Sequence, residues 1–290
     1  MIPKKLHYCW LGPDKIPESL VKCMSTWEQL LPDYEIICWD TKKFDVNSNK
    51  FTAQAFSVRK WAFASDYIRI FALFTEGGFY LDTDVIVKKR FDEFLNYGFV
   101  TSVEYHRECV EECDTLSLLN EDGTPKIANL PKKPGIGMQA AILGGTKGHP
   151  FLKSLLDWYQ DKDFIQSDGS FYDKIIAPDI YAMVAENYGF KFKDVQQNLR
   201  EDMLILPSEY FAGAPPQATE RSYAIHCCAA SWHRDEKIKS MTSEREGVMS
   251  ASLKRIKGNK LLRKIFRKKP PPNRPLLSEK IPKPSQIVQD

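Results

Sequence analysis

An α/β fold is predicted by three observations in this 290-residue chain. Short apolar runs alternate with helix-spaced segments. Glycine pairs and prolines punctuate them. The 43% hydrophobic content is enough to bury a sizeable core.

In chain order, KKLHYCWLG is a short strand ended by Gly12-Pro13. SLVKCMSTWEQLLPDY carries Leu20, Met24, Trp27 and Leu31 at helical spacing, and Pro32-Asp33 stops it. YEIICWD is a second strand, so the order strand–helix–strand predicts a parallel unit. RKWAFASDYIRIFALFTEGG reads as a mostly buried helix ending at Gly77-Gly78. Its Asp66 and Arg69 are i and i+3 and share a face, so a polar pair borders the core. FYLDTDVIV follows as one strand. GIGMQAAILGGTKGHPFLKSLLDWY reads as strand, turn and helix. PDIYAMVAENYGF is a helix with Pro178 early and Gly189 as its stop. DMLILPSEYFAGAPP is a strand and loop, and YAIHCCAASWHRD is a strand running into a polar-aromatic loop.

Charge divides the chain. Residues 254–269, KRIKGNKLLRKIFRKK, hold nine Lys or Arg and no acid, against a net charge of +3 for the whole. The body is therefore mildly acidic. A Pro-rich stretch follows the basic run. The expected organisation is a catalytic domain over 1–240 and a basic, partly helical, then Pro-rich tail over 241–290. The tail's apolar stripe of Leu262, Ile265 and Phe266 suits an anionic membrane surface. The acidic body argues against a nucleic-acid partner. No apolar run is long enough for a transmembrane helix, and the start lacks a secretory stretch. The seven cysteines are thus read as reduced thiols, and the expected location is cytoplasmic, peripheral at the inner membrane face. Cys109 and Cys113 with His106 lack a second ligand pair, which argues against zinc.

The chemistry centres on GGFYLDTDVIVKK. On a strand, Asp82 and Asp84 project side by side with Thr83 opposed. Two such carboxylates repel unless water or a cation meets them. A solvated strand end satisfies the tripeptide, and so does a divalent cation at the carboxyl edge of a sheet. Paired aspartates also occur in nucleotidyl- and phosphotransferases, but no phosphate-gripping glycine loop or lysine stands near them.

Taken together, IPKKLHYCWLG, AFASDYIRIFALFTEGGFYLDTDV, GGTKGHPF, APDIYAMVAENYGF, ILPSEYFAGAP and YAIHCCAASWH resemble the family 32 glycosyltransferases with a DXD-containing sugar-binding region. They run from residue 2 to residue 233. The resemblance implies a GT-A fold, a Rossmann-like mixed sheet with helices on both faces. It implies a UDP- or GDP-linked sugar donor, a divalent metal (Mn²⁺ ahead of Mg²⁺), and retention of the donor's α configuration. It implies a glycan or lipid-linked acceptor, as in surface polysaccharide synthesis. Asp84, Asp82 and His226 are the implied metal set. Asp66, Arg69, Ser65 and Thr83 join the donor-sugar contacts, and His7, Tyr8 and Trp10 the base and ribose. Ser231 and Trp232 would bond and cover the diphosphate. Gln139 would lie near the sugar. Asp179 reads as a helix cap rather than a nucleophile, which favours a front-face displacement.

Overall fold

The computed structural model describes residues 1–128 and 130–228. Strand β1 (Lys5–Cys9) is followed by helix α1 (Glu18–Leu30) and β2 (Glu35–Trp39). Helices α2 (Lys50–Ser57) and α3 (Trp61–Glu76) lead to β3 (Gly78–Leu81) and β4 (Val85–Val87). Then come β5 (Phe99–Tyr105), α4 (Arg107–Glu112), β6 (Ile136–Met138), β7 (Ile142–Gly145), α5 (Pro150–Gln160) and α6 (Ala177–Glu186). The described part closes with β8 (Gln197–Leu199), β9 (Met203–Leu206), β10 (Phe211–Ala212) and β11 (Ala224–His226).

The main sheet runs β2-β1-β3-β7-β5-β9-β8, with β6 pairing β5 beyond β7. β2, β1 and β3 are mutually parallel, as are β5 and β9, while β7 and β8 run against their neighbours. Because β7 opposes both β3 and β5, those two strands point the same way. Their carboxyl ends therefore open at one edge, where α/β sheets bind ligands.

Period-two alternation splits each strand between two cores. Leu6, Tyr8, Phe79, Leu81, Val100, Ile142 and Leu204 pack with Met24 and Trp27 of α1. Tyr80, Phe99, Leu143, Met203 and Ile205 pack on the other face with Phe51, Ile68, Leu73, Leu155 and Tyr181 of α2, α3, α5 and α6. Helices thus cover both faces, as the alternating elements predict. Burying each large apolar side chain contributes roughly 1.5–3 kcal/mol.

Two glycines set the approach to the site. Gly77 takes φ 66° and its N–H donates to Leu73 O, closing α3. Gly78 takes φ 120°, and a Cβ there would stand 2.7 Å from Lys5 O, so β3 can lie against β1 only with glycine.

One expected strand is two. FYLDTDVIV breaks at Asp82–Asp84, where Val85 N–H donates to Asp82 O in a turn. β3 stays in the main sheet, whereas β4 joins β11 and β10 in a three-stranded sheet. Both halves are buried and apolar, which disguised the break as continuity.

Candidate active site

The site forms around that turn, at the carboxyl end of β3. Asp82 N–H donates to Ala141 O at 2.9 Å, tying the turn to the residues before β7. β11 pairs antiparallel with β4, with His226 opposite Val85. This register brings His226 Nε2 to 3.3 Å from Asp84 Oδ1. Ligand atoms of Asp82, Asp84 and His226 all lie within 4.8 Å of one another.

α3 supplies the adjoining wall. Arg69 Nη2 is 3.0 Å from Asp66 Oδ1 and 3.4 Å from Asp82 Oδ1. Its Nη1 donates to Ala140 O at 2.7 Å, and its Nη2 to Ser65 Oγ at 3.2 Å. The guanidinium lies over the Tyr80 ring, 4.9 Å from its centroid. Tyr80 in turn donates its hydroxyl to Asp82 at 2.9 Å. The pair Asp66–Arg69 is therefore buried rather than peripheral, with Arg69 only 5% exposed.

Electrostatics here are unbalanced. Burial works against the charge on Arg69, but Asp82, Tyr80 and Asp66 outweigh it and raise its pKa well above the ordinary value. Asp66 nevertheless moves the other way: burial pushes it up to about 7, only partly offset by Arg69. One guanidinium is shared between two buried carboxylates, and it cannot neutralise both. Burial likewise raises Asp82. When ionised, Asp66, Asp82 and Asp84 outnumber Arg69, and despite burial Asp84 raises the pKa of His226 well above its ordinary 6.5. Such a donor set of two carboxylates and an imidazole fits a divalent cation, and the imidazole suits Mn²⁺ better than Mg²⁺.

Other expected residues are placed differently. His7 is fully buried. Its Nε2–H donates to Gly77 O at 2.8 Å and its Nδ1 accepts from Trp39 Nε1 at 3.0 Å, so the ring ties β1 to the end of α3 and to β2. Tyr8 lies on the opposite face of β1, edge-on to Trp27 in the core. Neither reaches outward as a base or ribose contact would. Trp10 is half-buried and donates to Asp14 O at 2.7 Å. Thr83 is half-buried in the turn between the aspartates. Gln139 is 1% exposed. Its Oε1 accepts from Ala141 N at 2.8 Å, and it spans the gap between β6 and β7. Its amide braces that gap rather than facing open space. Asp179 accepts from Ile176 N–H at 3.3 Å, as a cap does. Ser231 and Trp232 lie outside the described residues. The motif reading did not single out Tyr80 or the Ala140 carbonyl, which hold Arg69 and Asp82 in place. Tyr80 sits inside G-G-x-Y-x-D, two residues before Asp82 and on the same face of β3, which is the signal that could have found it.

Residues 17–100 match the family described as "Glycosyltransferase sugar-binding region containing DXD motif". This span includes Asp66, Arg69, Asp82 and Asp84. Over this stretch the chain is similar to that family. Among curated relatives, the chain is 32% identical to inositol phosphoceramide mannosyltransferase 3 of Schizosaccharomyces pombe, over 52% of its own length and 35% of the relative's. It is 22% identical to the initiation-specific alpha-1,6-mannosyltransferase of Candida albicans, over 80% and 72%. A 28% match to subversion of eukaryotic traffic protein A of Legionella pneumophila covers 35% and 20%. The chain thus spans about a third or less of the length of the first three of these curated relatives. Among solved structures, the PaToxG glycosyltransferase aligns with a TM-score of 0.43 at 19% identity, covering 64% of this chain and 69% of that one.

Proposed function

We propose that this chain transfers a sugar, with retention, from a nucleotide-sugar donor to a hydroxyl acceptor. The observation that carries this is the convergence of Asp82, Asp84 and His226 beside the buried Asp66–Arg69 pair. Asp82, Asp84 and His226 would hold the cation. When bound, that cation supplies positive charge against the diphosphate leaving group. Arg69, fixed by two carboxylates and a carbonyl, offers a rigid fork toward sugar or phosphate oxygens. Asp66 accepts donor hydroxyls. Burial strengthens each of these contacts by excluding water. No second carboxylate stands free as a nucleophile among the assigned residues, which supports front-face displacement. Two of the relatives are named as mannosyltransferases, so a mannosyl nucleotide is the first donor to try. The basic run at 254–269 supports peripheral attachment at an anionic membrane face, where a lipid-linked acceptor in surface polysaccharide synthesis would be met.

The deciding experiment is hydrolysis of a panel of GDP- and UDP-sugars, with Mn²⁺, Mg²⁺ and EDTA arms. Turnover of one donor that EDTA abolishes and Mn²⁺ restores best is expected. Full activity in EDTA removes the cation from the mechanism. A panel with no turnover at all rejects the transfer reading.

A further inference from the structure

The carboxyl end of β5 carries a second polar cluster that the donor site does not use. Glu104 Oε1 and His106 Nε2 are 2.9 Å apart, with Glu104 19% and His106 43% exposed. Gln217 closes the other side. Its Nε2 donates to Tyr105 O at 2.8 Å, while its shielded Oε1 has no partner.

Gly213 makes this cluster continuous with the site. A Cβ on Gly213 would lie 3.2 Å from Gln217 Oε1, 3.6 Å from Gln139 Nε2 and 3.9 Å from Glu104 Cγ. Its carbonyl accepts from Cys228 Sγ at 3.0 Å, and that sulfur lies 3.6 Å from His226 Nδ1. β3 and β5 are parallel with β7 between them, and their register carries Glu104 past the level of Leu81 at the same edge of the sheet as Asp82.

The chemistry of the cluster is that of a hydroxyl host. Each hydroxyl donates one hydrogen bond and accepts two. Glu104 accepts. The hydrogen bond to Glu104 raises the pKa of His106 above its ordinary 6.5, which favours the form with Nδ1–H as a donor. We propose that Glu104 and His106, with Gln217 bonded behind them to Tyr105 O, form the acceptor subsite, which binds neighbouring hydroxyls of a polyol ring, a sugar or an inositol. This proposal rests on the transfer reading above.

The test reads polyol binding without donor. Saturation-transfer NMR on the full chain would use methyl α-D-mannopyranoside and myo-inositol as probes, which also separates the two sources of the ring. Wild type is expected to bind at least one. Glu104→Gln is expected to weaken that binding about tenfold, the scale of one charge-assisted hydrogen bond, with an unchanged thermal midpoint. His106→Gln, on a more exposed side chain, is the second variant should the first destabilise the fold. Wild type that binds neither probe, or folded variants that bind as wild type does, overturns the subsite. Donor hydrolysis is scored separately, so its absence overturns the transfer reading while the binding result stands.

Discussion

His226 reaches Asp84, 3.3 Å away, because β11 runs antiparallel to β4 with His226 opposite Val85. The pair is made by sheet register rather than by proximity in sequence. Asp84→Asn keeps the shape and removes the charge. It is expected to lower donor hydrolysis by at least about 10²-fold, the scale of losing one strong charge contact. Its thermal midpoint should stay close to wild type, measured by calorimetry. An unfolded Asp84→Asn would instead make the aspartate a structural residue.

Arg69 and Asp66 should separate in stability although they touch. Arg69→Ala leaves buried carboxylates without their shared cation, and about 3–5 kcal/mol of loss is expected in urea unfolding. Asp66 already sits near pKa 7 through burial, so Asp66→Asn replaces a carboxyl that is half neutral at pH 7. Its cost should be well below that of Arg69→Ala, while its donor use falls. Equal losses of stability would contradict the shared-guanidinium account.

Two buried histidines set the acid limb of stability. Burial lowers the pKa of His7 and His149 from the ordinary 6.5, despite hydrogen bonds to Gly77 O and Glu201 O. Below 6.5 the unfolded chain therefore binds more protons than the folded one. Stability from these groups is full above 6.5 and falls as pH drops toward their folded values, by at most about 1.4 kcal/mol per pH unit for each. Asp66 has the opposite sign: its pKa is raised, so its contribution is present below 3.8 and lost as pH rises through about 7. Urea midpoints between about pH 8 and pH 5 should show a shallower acid decline in His149→Gln than in wild type. A variant as acid-sensitive as wild type would remove His149 from this account.

Gly144 should resist replacement. A Cβ there would stand 2.6 Å from Phe79 Cε1 and 2.7 Å from Val100 Cγ1, both buried. Gly144→Ala is expected to cost about 1–3 kcal/mol by overpacking, read as a lower urea midpoint.

The basic tail makes a separate prediction. Each cation at an anionic surface contributes about 1 kcal/mol, so nine are ample for reversible attachment. Deleting residues 253–290 should abolish co-sedimentation with anionic liposomes at low salt and spare donor hydrolysis. Salt-insensitive sedimentation of both forms would exclude a membrane-binding tail. Lost hydrolysis would mean that the tail packs on the catalytic domain.

Helix α3 was legible because Ala64, Ile68 and Ala72 repeat at helical spacing and Gly77 ends it. The gathering of Asp66, Arg69 and Asp82 was legible as a motif, since a helix followed at once by a strand leaves few ways to separate them. The break at Asp82–Asp84 was not, because Phe79–Leu81 and Val85–Val87 are equally buried and pattern cannot say that they enter different sheets. His7 was implied as a base or ribose contact by the family resemblance alone. Its partners, Trp39 and Gly77, come from distant positions that only folding brings near. Glu104 carried no signal, and His106 stood out only beside Cys109 and Cys113 as a zinc candidate. Their meaning depends on Gly213 and Gln217, more than a hundred residues later.

The D-x-D turn is also a joint. It is the point where the chain leaves the main sheet for the small one, and His226 returns to it from the small sheet. A cation seated there would rivet two sheets that are otherwise joined by packing and by the bond from Ser102 Oγ to Phe211 O. Folding would then obey mass action: at a hundredfold excess over Kd, such an ion adds about 2.7 kcal/mol to the stability of the whole. Ion supply would thus govern how long the protein survives, as well as how fast it works.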